Sequence, residues 1–338
     1  MIFITVLTRE RIGQMNDKEL RIIGIEEHFS TPAYISEFKT KDDDEFTLAG
    51  YENIIDLGER RIGHMDEAGV SMQIVSFSSP GVEQLGKDDA IRVSRDVNEY
   101  AFKAVSENPD RIRAFMTLPT ASPPDAVETL QKAKEMRFAG VCINGRIGDK
   151  YLDDPEFAPM LSEIEKMELP VYLHPCRPPK DVIKNYYSGP WPGEVSDFFS
   201  RGAIGWHIET AIHALRIIFS GILDRNPDLQ IVIGHLGEGL PFFFDRVQKL
   251  MPKERTKLDR TISEYLKDNF YYTTAGFNYN AVFSCLAEQV SMDRILFSAD
   301  YPFCNMQAAV DFLNELPLSE TDKQKIAHEN VEKLFKLI

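Results

Sequence analysis

The stretch Ile22-Ile23-Gly24-Ile25-Glu26-Glu27-His28 reads as a buried strand that ends in side chains able to bind a metal. Its branched apolar run suits a strand covered on both faces. Residues two apart on a strand point the same way, so Glu26 and His28 share one face and Glu27 points away. A carboxylate beside an imidazole at a strand end makes half of a divalent metal site. Taken alone, a Glu and a His merely closing a strand is the commoner case. The weight comes from what the other strands bring.

Working outward, the pattern alternates strand and helix. Further strands are expected at 72–77, 112–118, 140–145, 170–174, 231–234, 270–274 and 295–299. Helices are expected at 60–68, stopped by Gly69, and at 88–108, closed by Pro109. Another starts at Ser122-Pro123 and runs to about 137, and one starts at Asp154-Pro155. A helix over 206–223 has Ile208, Ile212, Leu215 and Phe219 as its apolar face. A last one starts near Ser319, with Asp322 as capping partner. The polar run 39–46 reads as a solvated loop or a lid, and the Pro, Gly and aromatic excursion 177–204 as a loop shaping a binding site. Eight strands with intervening helices predict a single (β/α)8 barrel over 21–338, preceded by an extension at 1–20. A doubly wound open sheet would want a Gly-rich phosphate loop after the first strand, and Glu26-Glu27-His28-Phe29 is not one.

Composition bounds the function. The chain has 338 residues, 43% hydrophobic and 27% charged, an ordinary soluble balance. With 38 basic and 53 acidic residues the net charge is −15, which argues against nucleic-acid or anionic-membrane partners. Cys142, Cys176, Cys285 and Cys304 show no C-x-x-C pairing and read as reduced thiols of a cytoplasmic protein. The apolar start Met1–Leu7 is short, lacks a basic flank and runs into Arg9, so it does not read as a signal peptide.

In a barrel, the C-terminal ends of the strands converge on one face. Glu26 and His28, His174, His235 and Asp300 all fall at such ends, on four different strands. Imidazoles mixed with carboxylates suit Zn²⁺ or Mn²⁺ better than Ca²⁺ or Mg²⁺.

The stretches 25–29, Tyr172-Leu173-His174-Pro175, 234–241 and 296–303 resemble the amidohydrolase superfamily. Within it they are similar to the metal-dependent, non-oxidative hydroxybenzoate decarboxylases, such as γ-resorcylate decarboxylase. The closing stretch 330–337 belongs to the resemblance. It implies that Glu26, His28, His174 and Asp300 bind one divalent ion, Zn²⁺ or Mn²⁺. It also implies that His235 and Glu238 are a catalytic pair, and that Arg246 and Asn144 contact substrate. Two departures stand out: Glu26 where hydrolytic members often have His, and Tyr301 where the branch commonly has Trp, which bears on the pocket.

The chemistry expected is loss of CO₂ from a hydroxylated aromatic acid. An ortho-hydroxyl is held as phenolate by the metal, and Asp300 protonates the ring carbon that bears the carboxylate. The alternative on the same barrel is a metal-dependent hydrolase of a lactone or amide; a binding protein without chemistry is the third reading. A homodimer or homotetramer is implied by the branch. His213, four residues after Glu209, reads as half of a structural pair, and His64, His207 and His328 as structural or surface residues. Cys176 is expected to be a buried, inert thiol.

Overall fold

The computed structural model describes residues 20–38 and 48–337. The lid reading at 39–46 and nearly all of the extension at 1–20 lie outside those residues. Among the described residues, eight parallel strands follow one another in chain order. They are β1 (Ile23–Phe29), β2 (Met72–Phe77), β3 (Ile112–Thr117), β4 (Gly140–Asn144), β5 (Val171–His174), β6 (Ile231–Ile233), β7 (Phe270–Thr273) and β8 (Ile295–Leu296).

The barrel interior is filled by one inward-pointing row. Ile23, Ile25, Met72, Ile74, Phe115, Cys142, Tyr172, Val232, Tyr271 and Leu296 pack together there. Val331, Leu334 and Phe335 join them, with the Phe335 ring 5.5 Å from Phe115, so the C-terminal segment plugs one end. Asn330 fixes that plug by donating to the Met292 and Ile295 carbonyls at 2.8 and 2.9 Å. The outward row packs against the surrounding helices in a second, larger core.

Strict alternation from Ile25 would turn Glu27 inward and Glu26 outward. The structure does the reverse, through a β-bulge. Gly24 pairs with Gln73 and Glu27 with Val75, so three steps on β1 match two on β2. The extra residue lets Ile25 and Glu26 both face inward and resets the parity for His28. Glu26 and His28 do share a face, as the sequence suggests.

The seam between β8 and β1 is made differently. The strand expected at 295–299 pairs only over Ile295–Leu296, because the next residues bend toward a left-handed Asp300, with φ of 64°. Two backbone bonds cross the gap, Asp300 N to Glu26 O at 3.0 Å and His28 N to Tyr301 O at 2.6 Å. Side chains complete it. Ser298 Oγ accepts from Glu26 N and donates to Glu26 O. The outward Glu27 carboxylate accepts from Ala299 N at 2.8 Å, Tyr301 N at 3.1 Å and Gln73 Nε2 at 3.2 Å. Burial pushes Glu27 up to about 8, against the pull of those backbone donors. Behind it the fully buried Arg61 donates to the His28 carbonyl at 2.6 Å and to Gln73 Oε1 at 3.1 Å.

Helix punctuation follows the sequence at several ends. Gly69 closes the helix Glu59–Ala68 in the left-handed conformation, and Ser319 Oγ accepts from Asp322 N at 3.1 Å. The helix from Pro123 is shorter than expected, ending at Leu130. The apolar face assigned to the helix Gly205–Phe219 is only partly right: Leu215 packs on the core and Ile208 is half-buried. Ala211, Ala214, Ile217 and Ile218 are buried, whereas Ile212 and Phe219 are exposed. Small Ala211 and Ala214 sit beside Ile217 and Ile218 on the buried side.

Candidate metal centre

At the C-terminal mouth, Glu26, His28 and His174 are buried with ligand atoms within 4.8 Å of one another. Glu26 is fully buried; its Oε2 accepts from Thr273 Oγ1 at 2.5 Å, and its Oε1 has no hydrogen-bond partner. Gly234 leaves the space that the carboxylate needs. A Cβ there would sit 2.6 Å from both oxygens.

His28 Nδ1 meets Ser76 Oγ at 3.1 Å, while its Nε2 lies 3.1 Å from Asp300 Oδ1 without hydrogen-bonding alignment. A proton on Nδ1 donated to Ser76 leaves the Nε2 lone pair facing the site. His174 stands edge-on to His28, ring centroids 4.6 Å apart, with its Nδ1 unpartnered. Burial, then His28 and His235, keep His174 neutral far below the usual histidine range. Burial raises Glu26 above the usual carboxylate range. Asp300 lies below it, because His235 and His28 outweigh its burial.

Each buried polar atom left without a partner costs about 1–3 kcal/mol. Three of them, Glu26 Oε1, His28 Nε2 and His174 Nδ1, occur in this one cluster. With Asp300 beside His28, two carboxylates and two neutral-capable imidazoles form a donor set that fits a Mn²⁺ or Zn²⁺ ion.

His235 and Glu238 lie on an uncommon turn. His235, Leu236, Gly237, Glu238 and Gly239 all have positive φ, from 49° to 89°. That is one left-handed turn, costing about 1–2 kcal/mol for each non-glycine residue. Strain of this kind concentrates at functional sites. Here it brings His235 Nδ1 to Glu238 Oε1 at 2.9 Å and to Glu26 Oε1 at 3.6 Å, with Nε2 3.8 Å from Asp300 Oδ2. Burial opposes charge on both members of the pair. Glu238 and Glu26 nevertheless hold His235 protonated well above its usual range, and the imidazoles of His235 and His207 hold Glu238 down to about 2.

His207 is the residue that sequence reading missed. It was expected to be structural, yet its Nδ1 lies 2.5 Å from Glu238 Oε2 and its ring 4.8 Å from that of His235. It carries no motif and sits in the first turn of a helix, so only the fold reveals it.

The other candidates divide. Asn144 is buried at the end of β4, opposite His174 in register; it donates to the Phe77 carbonyl at 3.3 Å and leaves Oδ1 unpartnered. Arg246 is exposed on the helix Phe244–Leu250 and is not drawn into the cluster. Tyr301 does not bear on the pocket as expected. Its ring lies under Arg61 at 4.7 Å and its hydroxyl meets His64 Nδ1 at 2.9 Å, on the outer side of the barrel. Glu209 and His213 are structural but do not pair with each other. Glu209 accepts from Tyr151 OH at 2.5 Å, and His213 Nε2 accepts from Leu152 N at 3.0 Å. His328 pairs with Glu332 at 3.0 Å. Cys176 is buried, its thiol pushed up to about 11.

The amidohydrolase family model matches residues 49–337. The chain belongs to the amidohydrolase family. A γ-resorcylate decarboxylase of Rhizobium sp. (strain MTP-10005) is 33% identical over 330 residues, covering 93% of this chain and 98% of that protein. The γ-resorcylate decarboxylase of Rhodococcus jostii (strain RHA1) is 31% identical at the same coverage. A crystal structure of 2,6-dihydroxybenzoate decarboxylase complexed with 2,6-dihydroxybenzoate superposes with a TM-score of 0.84 at 31% identity, over 94% of this chain and 99% of that one. The dihydroxybenzoic acid decarboxylase of Polaromonas sp. JS666, solved with bound manganese and the inhibitor 2-nitroresorcinol, superposes with a TM-score of 0.84 at 30% identity, over 94% and 97% of the two chains. In this amidohydrolase, β1 lies ahead of the segment that the family model matches, whereas the similarity to the γ-resorcylate decarboxylases extends over 93% of the chain. Among the described residues, no helix is long and apolar enough to cross a membrane.

Proposed function

We propose that this protein is a metal-dependent, non-oxidative decarboxylase of hydroxylated aromatic carboxylic acids. One observation carries the proposal. Glu26, His28 and His174 converge, each with a buried polar atom that has no hydrogen-bond partner, and Asp300 Oδ1 lies 3.1 Å from His28 Nε2, on a chain similar along nearly its whole length to γ-resorcylate decarboxylases. A divalent ion held by these four residues, Mn²⁺ as in the Polaromonas structure or Zn²⁺, supplies Lewis acidity that stabilises negative charge on a substrate oxygen.

The chain's own groups do the rest. Asp300 gives a proton to the ring carbon that bears the carboxylate. The C–C bond then breaks, its electron pair returns to the ring, and CO₂ leaves. His235 and His28 hold the Asp300 carboxyl below the usual range, so in this proposal its proton is replenished from a neighbour. His235 Nε2 is placed to supply it, 3.8 Å from Oδ2, while Glu238 fixes the ring from the other side. Asn144 Oδ1, buried and unpartnered, is suited to a substrate hydroxyl; for Arg246 only the resemblance supports a substrate contact.

A homodimer or homotetramer is part of the proposal. The exposed Ile212 and Phe219 on the helix Gly205–Phe219 suit a contact between copies, which size-exclusion chromatography with light scattering tests. Four unpaired thiols support a cytoplasmic setting.

The test is metal analysis followed by a panel of 2-hydroxybenzoates assayed for bicarbonate release, with lactones and esters in parallel. Bicarbonate release from a 2,6- or 2,3-dihydroxybenzoate supports the proposal. Hydrolysis of an ester or lactone without bicarbonate release overturns it.

A further inference from the structure

We propose that His207 is a positioning residue that ties the short π-helical turn Phe199–Ala203, within the excursion expected as a loop, to the His235–Glu238 pair. This rests on the decarboxylase reading above. Glu238 is bonded on both oxygens, Oε1 to His235 Nδ1 at 2.9 Å and Oε2 to His207 Nδ1 at 2.5 Å. A hydrogen bond between an imidazole and a carboxylate is of the strong, charge-assisted kind. The far nitrogen of His207, Nε2, donates to the Gly202 carbonyl at 2.9 Å.

The three groups form a chain. It starts at a backbone carbonyl in the excursion 177–204, passes through His207 and Glu238, and ends at His235 beside Asp300. Phe277 closes it on the open side, 4.9 Å from the His207 ring and 5.4 Å from that of His235. All three polar members are buried.

A carboxylate with one bonded oxygen can rotate about its last torsion; one gripped on both cannot. Removing His207 therefore frees Glu238 to turn and leaves His235 without a fixed orientation or tautomer. Buried histidines and a carboxylate this close together could also hold a second ion. The geometry favours hydrogen bonding. Each Glu238 oxygen already meets one imidazole, Oε1 the Nδ1 of His235 and Oε2 the Nδ1 of His207, so the two carboxylate oxygens are used in hydrogen bonds.

The two ends of the link separate in mutants. His207→Asn keeps a donor near the Nδ1 position toward Glu238 but loses Gly202. His207→Gln keeps a donor near the Nε2 position toward Gly202 but loses Glu238. His207→Ala loses both.

The experiment measures kcat and KM with Mn²⁺-loaded wild type and the three variants, manganese content, and amide hydrogen exchange over 199–203. For His207→Ala we expect kcat to fall by about 10–100-fold, the usual effect of removing an outer partner of a site residue. KM should stay within about twofold and manganese content should not change. His207→Asn should recover most of the lost kcat, and exchange over 199–203 should rise in His207→Ala and His207→Asn but not in His207→Gln. Wild-type kcat in His207→Ala, or unchanged exchange in both His207→Ala and His207→Asn, overturns the proposal. Absence of bicarbonate release by the wild type defeats the decarboxylase reading instead, and the exchange measurements still decide whether His207 holds the turn 199–203.

Discussion

At the scale of single residues, Asp300 is where the proposed ligand set and the proposed proton path meet. It faces His28 on one oxygen and His235 on the other. Asp300→Asn keeps the size and one acceptor oxygen but cannot deliver a proton. We expect turnover of the best hydroxybenzoate to fall by at least about 100-fold while the substrate still binds, seen by steady-state kinetics beside a binding titration. An Asp300→Asn enzyme with near-normal kcat would remove Asp300 from the proton-donor role.

His213 gives a second prediction, for stability against pH. Burial holds its pKa down to about 3 in the folded protein, against 6.5 in the unfolded chain. Between these values the unfolded chain binds a proton that the folded state refuses, so stability is full above pH 6.5 and falls as the pH is lowered. The loss is about 2 kcal/mol at pH 5. His213→Gln keeps an acceptor for Leu152 N and removes the titration. Its urea midpoint should fall less than that of wild type between pH 7 and pH 5, and an equal fall would contradict the assignment.

The scale of elements shows what the sequence could and could not tell. Ligand types at strand ends were legible, because a barrel sends every strand end to one face. So were Glu26 and His28 on a common side. The bulge that makes this compatible with an inward Ile25 was not, since an extra residue is defined only by the partner strand. Nor was the left-handed turn at 235–239, where Gly237 and Gly239 hint at positive φ but His235, Leu236 and Glu238 do not. His207 was hidden for a similar reason: its partner lies 31 residues away, brought close only by the helix docking.

The seam offers a prediction at this scale. Glu27 substitutes side-chain acceptors for a missing backbone ladder between β8 and β1. Glu27→Ala leaves at least two buried N–H groups without acceptors and should destabilise the protein by about 3 kcal/mol or more, with Glu27→Gln milder because one amide oxygen remains. Thermal unfolding of the two variants checks this. A wild-type melting temperature for Glu27→Ala would mean that the barrel closes without that carboxylate.

For the whole molecule, the arrangement separates support from chemistry. One end of the barrel is plugged by Val331, Leu334 and Phe335, and the other carries every candidate ligand. Phe335→Ala should cost about 3–5 kcal/mol of stability without changing kcat per folded molecule, measured by denaturant unfolding and active-site-normalised kinetics. A changed kcat would mean that the plug is coupled to the mouth.

The most direct measurement is anomalous diffraction at the manganese edge from crystals grown with Mn²⁺. We expect one strong peak in contact with Glu26, His28, His174 and Asp300. No peak among those four residues, or a peak only between His207, His235 and Glu238, would contradict the assignment of the metal centre and the decarboxylase chemistry built on it.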